Sequence, residues 1–151
     1  MIEVETRALP ARIVAADLFA GLGGSSTGIV QAGGRVAWVA NHNENAVEWH
    51  ARNHPDVLHL CQDLAELDWT SVESVEYLHA SPCCQGLSQA GQPAERGTGG
   101  NFRPDAVSMQ RKHQRDRNTV WAVLAAADTL RPETITVENV VDLFGWTAFK
   151  A

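Results

Sequence analysis

The feature that most constrains the fold is a regular alternation of short apolar runs with segments of helical length. The predicted strands span 13–18, 35–40, 57–60, 75–80 and 134–137, and the predicted helices span 25–32, 45–53 and 118–130. Ser25 or Ser26 is expected to cap the first of these helices. Strands that alternate with helices in this way favour a parallel sheet covered on both faces. The sequence therefore predicts an α/β fold with a doubly wound parallel sheet.

The composition is compatible with one globular domain and argues against several other classes of protein. Of the 151 residues, 44% are hydrophobic and 20% are charged, which is ordinary for a folded domain. No apolar run approaches the ~20 residues of a membrane span, and the acidic start of the chain lacks the features of a secretory signal. The three cysteines have no framework spacing, so we expect reduced thiols in a cytoplasmic protein without a membrane partner.

Positive charge is concentrated in one segment, although the chain as a whole is acidic. The formal net charge of −6 argues against a freestanding DNA-binding domain. Within a Gly- and Pro-rich interval that breaks the strand–helix alternation, the basic residues are Arg96, Arg103, Arg111, Lys112, Arg115 and Arg117. One interpretation is a solvated polar loop. The other is a loop that contacts phosphates and closes over a site.

Residues that could bind a ligand or take part in catalysis follow three of the predicted strands. Segment 17–24 is Asp-Leu-Phe-Ala-Gly-Leu-Gly-Gly, segment 81–88 is Ser-Pro-Cys-Cys-Gln-Gly-Leu-Ser, and segment 138–140 is Glu-Asn-Val. Ligands of open α/β sheets bind at the carboxyl ends of the strands, so these segments are expected to lie together. The glycine-rich turn is neither a dinucleotide fingerprint nor a P-loop, because Ser26 replaces the last glycine and no lysine follows.

In this order, the three segments resemble the cofactor loop, the catalytic loop and the Glu-Asn-Val motif of DNA (cytosine-5) methyltransferases. The resemblance extends from about residue 15 to residue 141, which corresponds to the N-terminal half of a family member. It implies a partial, Rossmann-like S-adenosylmethionine-dependent methyltransferase domain over 12–151, after an N-terminal extension at 1–11. The implied reaction is methyl transfer from S-adenosylmethionine to carbon 5 of cytosine in DNA, through a covalent adduct between a cysteine and carbon 6.

The same resemblance implies a set of cofactor-binding residues. The backbone near Leu22 is expected beside the methionine part of the cofactor. His42 stands where the family has an acidic residue that binds the ribose. There are three alternatives: Glu44 binds the ribose instead, His42 makes a single hydrogen bond to it, or the affinity for the cofactor is lower. A capping box completed by Glu66 is the alternative role for Asp63, and a core position is the alternative for Val120. The implied set is Asp17, Phe19 against the adenine, Gly21, Leu22, Gly23, Gly24, Asn41, His42, Asp63 for the adenine amino group, and Val120.

The catalytic pair implied by the resemblance is a cysteine thiolate and Glu138. The thiolate is the reactive form of cysteine, and Glu138 would protonate ring nitrogen 3 of cytosine as charge develops there. Counting from Pro82 selects Cys83 as the nucleophile, whereas counting back from Gln85 and Ser88 selects Cys84. The second register preserves more of the family motif, so Cys84 is the predicted nucleophile.

DNA with a flipped cytosine is the implied substrate. The expected DNA contacts are Gln85, Ser88, Arg111, Lys112, Arg115 and Arg117. Nothing in the chain is an obvious reader of base edges, so a C-terminal half or a partner subunit is expected to carry target recognition. Restriction–modification and phage self-protection are the expected settings, and a non-catalytic module that binds cofactor or a partner is the alternative. No metal site is expected, because Ala51 follows His50 where an H-E-x-x-H motif needs glutamate.

Overall fold

In a computed structural model, residues 12–84 and 119–145 are described. The strands are β1 Val14–Leu18, β2 Arg35–Asn41, β3 Leu58–Cys61, β4 Tyr77–Ala80 and β5 Thr134–Val137. The helices are α1 Gly24–Gln31, α2 Glu44–Asn53 and α3, which spans 119–130 within the described part. Short 3-10 helices cover Trp69–Ser71 and Val141–Gly145. The predicted strands are confirmed, with bounds that shift by a residue or two.

The five strands form one parallel sheet in the order β3-β2-β1-β4-β5. The order reverses between β1 and β4, so loops after these two strands diverge and leave a crevice between them. Strand β2 is apolar along most of its length and is buried on both faces, as strands in the middle of a covered parallel sheet are. The predicted doubly wound α/β fold is confirmed.

Side chains of β2 contribute to two separate apolar cores. Trp38 and Ala40 lie in a large cluster that includes Ala126 and other residues of α3. Val36 and Val39 lie in a smaller cluster against Ile29 of α1. The pairing with β1 shifts register between Val36 and Trp38, which allows Val36 to share a face with Val39. Helix α3 therefore covers one face of the sheet and α1 covers the other.

The two helices on the α1 face begin in different ways. Helix α2 has the side chain of Asn43 as its cap, which accepts from the N–H groups of Asn45 and Ala46. Helix α1 begins after Gly23, a left-handed residue with φ of 98° that offers no side-chain cap. The expectation that Ser25 or Ser26 caps α1 is therefore wrong. Both serines lie inside the first turn, and their hydroxyls turn back toward β1.

Strand β5 forms the free edge of the sheet among the described residues. All four of its residues are exposed, including the apolar Ile135 and Val137, and other exposed apolar side chains occur in α3 and after β5: Trp121, Leu124 and Phe144. An edge strand with apolar side chains is a surface that natural proteins usually cover.

Within the described ranges, no helix is long and apolar enough to cross a membrane.

Candidate active site at the carboxyl edge of the sheet

The register of the sheet places the starts of three loops side by side. Leu18 of β1 pairs with Ala80 of β4, and Ala80 pairs with Val137 of β5. The ladder continues past the strands, because the N–H of Ser81 donates to Leu18 O at 3.2 Å and that of Glu138 donates to Ala80 O at 2.9 Å. The glycine-rich loop, the cysteine loop and the Glu-Asn-Val segment consequently leave the sheet at one edge.

The glycine-rich loop after β1 has the conformation of a ligand cradle. Phe19 takes a positive φ of 60° and Gly23 one of 98°, and both allow a sharp turn out of the strand. A Cβ built on Gly21 or Gly24 would meet no atom within 4 Å, so there is open space beside the backbone. Leu22, at the tip, is 63% exposed. Backbone without side chains beside open space allows a ligand to approach the peptide groups closely.

Asp17 of β1 holds the glycine-rich loop in place through the two serines that follow it. Its side chain is fully buried, and Oδ2 accepts hydrogen bonds from the hydroxyls of Ser25 and Ser26. Oδ1 is buried with no hydrogen-bond partner among the described residues. Burial raises the pKa of the Asp17 carboxyl above its ordinary value, while the two serine hydroxyls and the neighbouring His79 act in the opposite direction. Asp17 therefore ties the start of α1 to the end of β1 and lies beneath the loop.

Three histidines extend this polar network toward β3. His50 of α2 is fully buried and hydrogen-bonds to both Ser26 and His59, and its ring centroid is 4.8 Å from that of His54. Burial, together with the neighbouring His54 and His59, lowers the pKa of His50 to about 4. Burial also lowers the pKa of His59. His50 is thus a neutral packing element beneath the glycine-rich loop.

The end of α2 lies against the glycine-rich loop itself. The Nδ2 atom of Asn53 donates to the carbonyl oxygen of Leu22 at 2.7 Å. The Nε2 atom of His54 is 3.1 Å from the carbonyl oxygen of Gly23 and 3.1 Å from Oγ1 of Thr27. A Cβ on Gly23 would lie 2.6 Å from the His54 ring, so only glycine fits beneath that ring.

The loops after β2 and β3 lie next along the same edge. Asn41 ends β2, donates to Ala20 O at 2.9 Å and accepts from the N–H of Asn43, which joins the β1 and β2 loops. His42 and Asp63 are exposed. The Oδ1 atom of Asp63 accepts from the N–H of Ala65 at 3.0 Å in a turn, and no helix follows. The alternative of a helix cap at Asp63 is therefore wrong.

The cysteine loop is held at a single peptide group. The carbonyl of Pro82 accepts from Nδ2 of Asn139 at 2.8 Å, and the N–H of Cys83 donates to Oγ1 of Thr119 at 3.1 Å. These two groups belong to the same planar unit, so the peptide between Pro82 and Cys83 is fixed from both sides. Cys83 and Cys84 are half-buried, and neither forms a disulfide bond with another cysteine of the described ranges.

The remaining predicted residues divide between described and undescribed parts of the chain. Glu138 is exposed at the end of β5, Val120 is 4% exposed in α3, and its neighbour Trp121 is 47% exposed. The expected DNA contacts lie outside the described residues, and so do the other two arginines of the basic segment: Gln85, Ser88, Arg96, Arg103, Arg111, Lys112, Arg115 and Arg117.

The edge as a whole fits S-adenosylmethionine. The loops after β1, β2 and β3 supply, in order, glycine N–H groups beside open space, a polar turn at Asn41 and His42, and the carboxylate of Asp63. N–H groups at the start of a helix can donate to a carboxylate of a ligand. Polar acceptors of the protein can accept from hydroxyl and amino groups of a ligand. These are the kinds of donors and acceptors that the polar groups of that cofactor require.

Sequence reasoning missed the residues that hold these loops in place. Asn53, His54 and Thr119 make their contacts through long-range packing. The incomplete H-E-x-x-H motif gave no indication of the hydrogen bonds that His50 makes to Ser26 and His59. One available signal was that Asn53 and His54 end a predicted helix just before Pro55. Polar side chains at that position have to find partners beyond the helix.

Comparisons with known proteins give the family of the chain and relatives of its fold. The family C-5 cytosine-specific DNA methylase matches residues 13–148. A crystal structure described as a DNA modification methyltransferase encoded within a prophage of E. coli superposes with a TM-score of 0.66 at 20% identity, covering 91% of this chain and 35% of that one. The S. pombe Dnmt2 methyltransferase gives a TM-score of 0.63 at 18% identity, covering 93% of this chain and 38% of that one.

A third structure, a Spodoptera frugiperda DNMT2 mutant, has a TM-score of 0.63 at 19% identity and covers 91% of this chain and 38% of its own. The chain therefore spans little more than a third of the length of these structures. At such identities the structural likeness shows the fold. A sequence comparison with curated proteins found no match.

Proposed function

The chain belongs to the family of C-5 cytosine-specific DNA methylases, and from that premise we propose that it forms the cofactor-binding, nucleophile-carrying part of such an enzyme. S-adenosylmethionine is the cofactor. The proposed reaction is methyl transfer to carbon 5 of cytosine in DNA. The observation that carries the proposal is the register Leu18–Ala80–Val137, which brings the glycine-rich loop, the cysteine loop and Glu138 to one edge of the sheet.

Cys84 is the proposed nucleophile. Its thiolate adds to carbon 6 of the target cytosine while Glu138 gives a proton to ring nitrogen 3, which offsets the charge that develops on the ring. Carbon 5 then has enamine character and would attack the electrophilic methyl group that S-adenosylmethionine supplies when bound, with S-adenosylhomocysteine as the leaving group. After transfer, a base removes the hydrogen of carbon 5, nitrogen 3 loses its proton, and the carbon 6–sulfur bond breaks to return the thiolate.

The fixed peptide before the two cysteines supports this role. A nucleophile gains most when its position is set before the substrate arrives, because orientation is then established in advance. Asn139 and Thr119 hold the Pro82–Cys83 peptide from opposite ends, and Asn139 directly follows Glu138. The same short segment thus presents the proposed acid and anchors the nucleophile's loop, which keeps the two groups in register.

The proposed cofactor contacts are the loops that follow β1, β2 and β3. Phe19 lies against the adenine, Asp63 accepts from its amino group and His42 faces the ribose. Asn41 supports this arrangement because its amide joins the end of β2 to Ala20 of the glycine-rich loop. Asp17 and Val120 are fully or almost fully buried, so in this proposal they support the pocket from behind.

The substrate is proposed to be DNA with the target cytosine flipped out of the duplex. Gln85 and Ser88 would contact the flipped nucleotide. The basic residues Arg111, Lys112, Arg115 and Arg117 would contact phosphates, because salt-sensitive phosphate contacts provide most of the affinity of such segments. A restriction–modification system or a phage is the proposed setting, and the cytoplasm is the proposed location.

A C-terminal half or a partner subunit is proposed to complete the enzyme. The support comes from β5, whose four residues are all exposed and which forms an edge of the sheet within the described part of the chain, and from Leu124, an exposed apolar residue of α3. A further strand added to β5 would satisfy its free backbone groups. That additional segment would also supply the base-edge contacts that sequence recognition needs.

Trapping of the covalent adduct tests the proposed chemistry. DNA containing 5-fluorocytosine is incubated with S-adenosylmethionine and the chain, with and without a C-terminal segment or subunit encoded beside it. The fluorine blocks the final elimination, so the adduct accumulates and its attachment site is read by peptide mass spectrometry. We expect attachment at Cys84, loss of trapping in Cys84→Ala and retention in Cys83→Ala. Attachment at Cys83 would reverse the assignment, and full methylation activity of the chain alone would contradict the need for a second part.

A non-catalytic module that holds cofactor or a partner is the second candidate. The specific observation in its favour is His42, an exposed imidazole at the position implied to bind the ribose. Such a module would bind S-adenosylmethionine but form no adduct with 5-fluorocytosine DNA even in the presence of its partner. The trapping experiment therefore distinguishes the two candidates.

A further inference from the structure

The glycine-rich loop is held by side chains that lie outside it, at the end of α2. Asn53 donates to the carbonyl oxygen of Leu22. His54 Nε2 lies within hydrogen-bond distance of the carbonyl oxygen of Gly23. A carbonyl oxygen can only accept a hydrogen bond, so Nε2 carries the hydrogen and His54 is the donor. Two consecutive carbonyl groups of the loop are thus drawn toward the same helix end.

The planarity of the peptide group converts this contact into an orientation of N–H groups. All described peptide bonds are trans, and in a trans peptide the C=O and the following N–H point in opposite directions. When Leu22 O faces Asn53, the N–H of Gly23 faces away from α2. When Gly23 O faces His54, the N–H of Gly24 faces away as well, toward the open space in front of the loop.

We propose that Asn53 and His54 are positioning residues of the cofactor site, which turn the N–H groups of Gly23 and Gly24 toward the amino-acid carboxylate of S-adenosylmethionine. The inference rests on the proposed function, because it assigns a part of the cofactor to that same site. Adjacent N–H groups at the start of a helix favour an anionic group. The adenosine part of the cofactor would make no use of them.

The two contacts contribute unequally. Gly23 O also accepts from the N–H of Thr27 at 2.8 Å as the first hydrogen bond of α1, so the helix holds this carbonyl even without His54. For Leu22 O, the Asn53 amide is the side chain that sets the direction of the carbonyl. Removing Asn53 is therefore expected to have the larger effect on the orientation of the loop.

The proposal is tested by comparing two ligands on the full chain. S-adenosylmethionine carries the amino-acid carboxylate, and methylthioadenosine shares its adenosine but lacks that group. Affinities for both are measured by calorimetry for the wild type, Asn53→Ala, His54→Leu and His54→Gln. Asn45→Ala is the matched control, since Asn45 is an exposed asparagine of the same helix. Thermal unfolding of each variant checks that it is folded.

We expect Asn53→Ala to weaken S-adenosylmethionine binding by about tenfold, the loss typical of one charge-assisted hydrogen bond, and to leave methylthioadenosine binding within about twofold. His54→Leu should show the same selectivity with a smaller loss. His54→Gln should restore the wild-type affinity, because its amide can donate from nearly the same place as Nε2. Asn45→Ala should change neither ligand.

Equal weakening of both ligands, or no weakening of either, would overturn the positioning role and leave the proposed function intact. Wild-type affinities that are the same for both ligands would overturn it too, because the carboxylate would then make no contribution. If the wild type bound neither ligand, the proposed cofactor site would fail and the positioning role with it.

A measurement without any ligand gives a second test. The NMR shift of a carbonyl carbon depends on whether its oxygen accepts a hydrogen bond. In Asn53→Ala we expect a change at Leu22, and in His54→Leu a smaller one at Gly23, with restoration in His54→Gln. Unchanged carbonyl shifts in the folded variants would show that α2 does not hold the loop and would overturn the proposal.

Discussion

The Nε2 atom of His50 lies 3.0 Å from Oγ of Ser26, and both side chains are fully buried. The single hydroxyl hydrogen of Ser26 is used in its 2.9 Å bond to Asp17 Oδ2, so Ser26 accepts from His50. The Nδ1 atom of His50 must then accept from His59 Nε2 at 2.9 Å. His59, His50, Ser26 and Asp17 thus form a chain of hydrogen bonds in which each side chain donates to the next. The chain ends on Asp17 beneath the glycine-rich loop, and it requires His50 to be neutral.

The first prediction is that the folded state loses stability as the pH is lowered from about 6.5 to about 4. In this window the unfolded chain takes up a proton at position 50, whose ordinary pKa is 6.5, whereas the folded chain does not because its pKa is about 4. The lowered pKa of His59 acts in the same direction. Protonation therefore favours the unfolded chain, and the free energy of unfolding falls with pH.

Urea unfolding across that range measures the effect. His50→Gln keeps a donor for Ser26 but does not titrate, so its stability should depend less steeply on pH. The raised pKa of Asp17 acts in the opposite direction, because the folded state then holds a proton more readily than the unfolded state. Asp17→Asn should accordingly make the loss on acidification steeper. Parallel pH profiles for wild type and His50→Gln would contradict the assignment.

The second prediction concerns Gly23. Alanine there would need a left-handed backbone, and its Cβ would lie 2.6 Å from the His54 ring. Gly23→Ala should therefore lower the free energy of unfolding by about 1–3 kcal/mol and abolish detectable binding of S-adenosylmethionine. The control is Gly28→Ala in the middle of α1, where a Cβ meets no atom within 4 Å.

Gly28→Ala should raise the free energy of unfolding by about 0.5–1 kcal/mol, since alanine is the better helix former. Chemical denaturation and calorimetry measure both variants. A Gly23→Ala protein with wild-type stability and affinity would show that neither the φ of 98° nor the His54 ring constrains this position.

Much of the fold could be predicted because local pattern and tertiary structure agree. Residues 134–137 form the fifth strand as predicted, and the apolar run ending at Ala40 forms β2, an interior strand of the sheet. The start of α1 was mispredicted because Ser25 has the side chain of a good cap, yet its hydroxyl is bound to buried Asp17. Tertiary burial of a carboxylate outweighed a local preference.

The candidate site was predictable only where its residues lie in short motifs. Segment 17–24 and segment 138–140 could be placed by counting from strand ends. The supports of these loops could not be found in this way, because Asn53 and Thr119 are about 30 residues or more from the backbone groups that they bind. Such contacts depend on how α2 and α3 pack on the sheet, which periodicity does not specify.

The third prediction concerns the fixed peptide of the cysteine loop. Asn139→Asp has the same shape as the wild type but faces the Pro82 carbonyl with an acceptor instead of a donor. Thr119→Val removes the acceptor for the Cys83 N–H with little change in volume. Each variant should slow trapping on 5-fluorocytosine DNA by about tenfold, because misplacing a nucleophile by a fraction of an ångström is costly.

Single-turnover trapping rates measure the effect, and S-adenosylmethionine affinity serves as the internal control. Both variants should bind the cofactor as the wild type does, since the altered hydrogen bonds hold the cysteine loop. Trapping rates equal to the wild type would show that the fixed peptide does not set the position of the nucleophile. Asn45→Asp, an exposed site in α2, is the matched control for the added charge.

The fourth prediction concerns His42, which is exposed directly after β2. A neutral imidazole offers one acceptor, whereas a carboxylate can accept from both ribose hydroxyls at once. His42→Glu should therefore raise the affinity for S-adenosylmethionine by about tenfold, the gain expected from one charge-assisted hydrogen bond. Methylthioadenosine carries the same ribose, so its affinity should rise equally, unlike the selective losses expected at Asn53. Glu44→Gln should leave both affinities unchanged. Calorimetry decides between the two positions: no gain in His42→Glu together with a loss in Glu44→Gln would assign the ribose to Glu44.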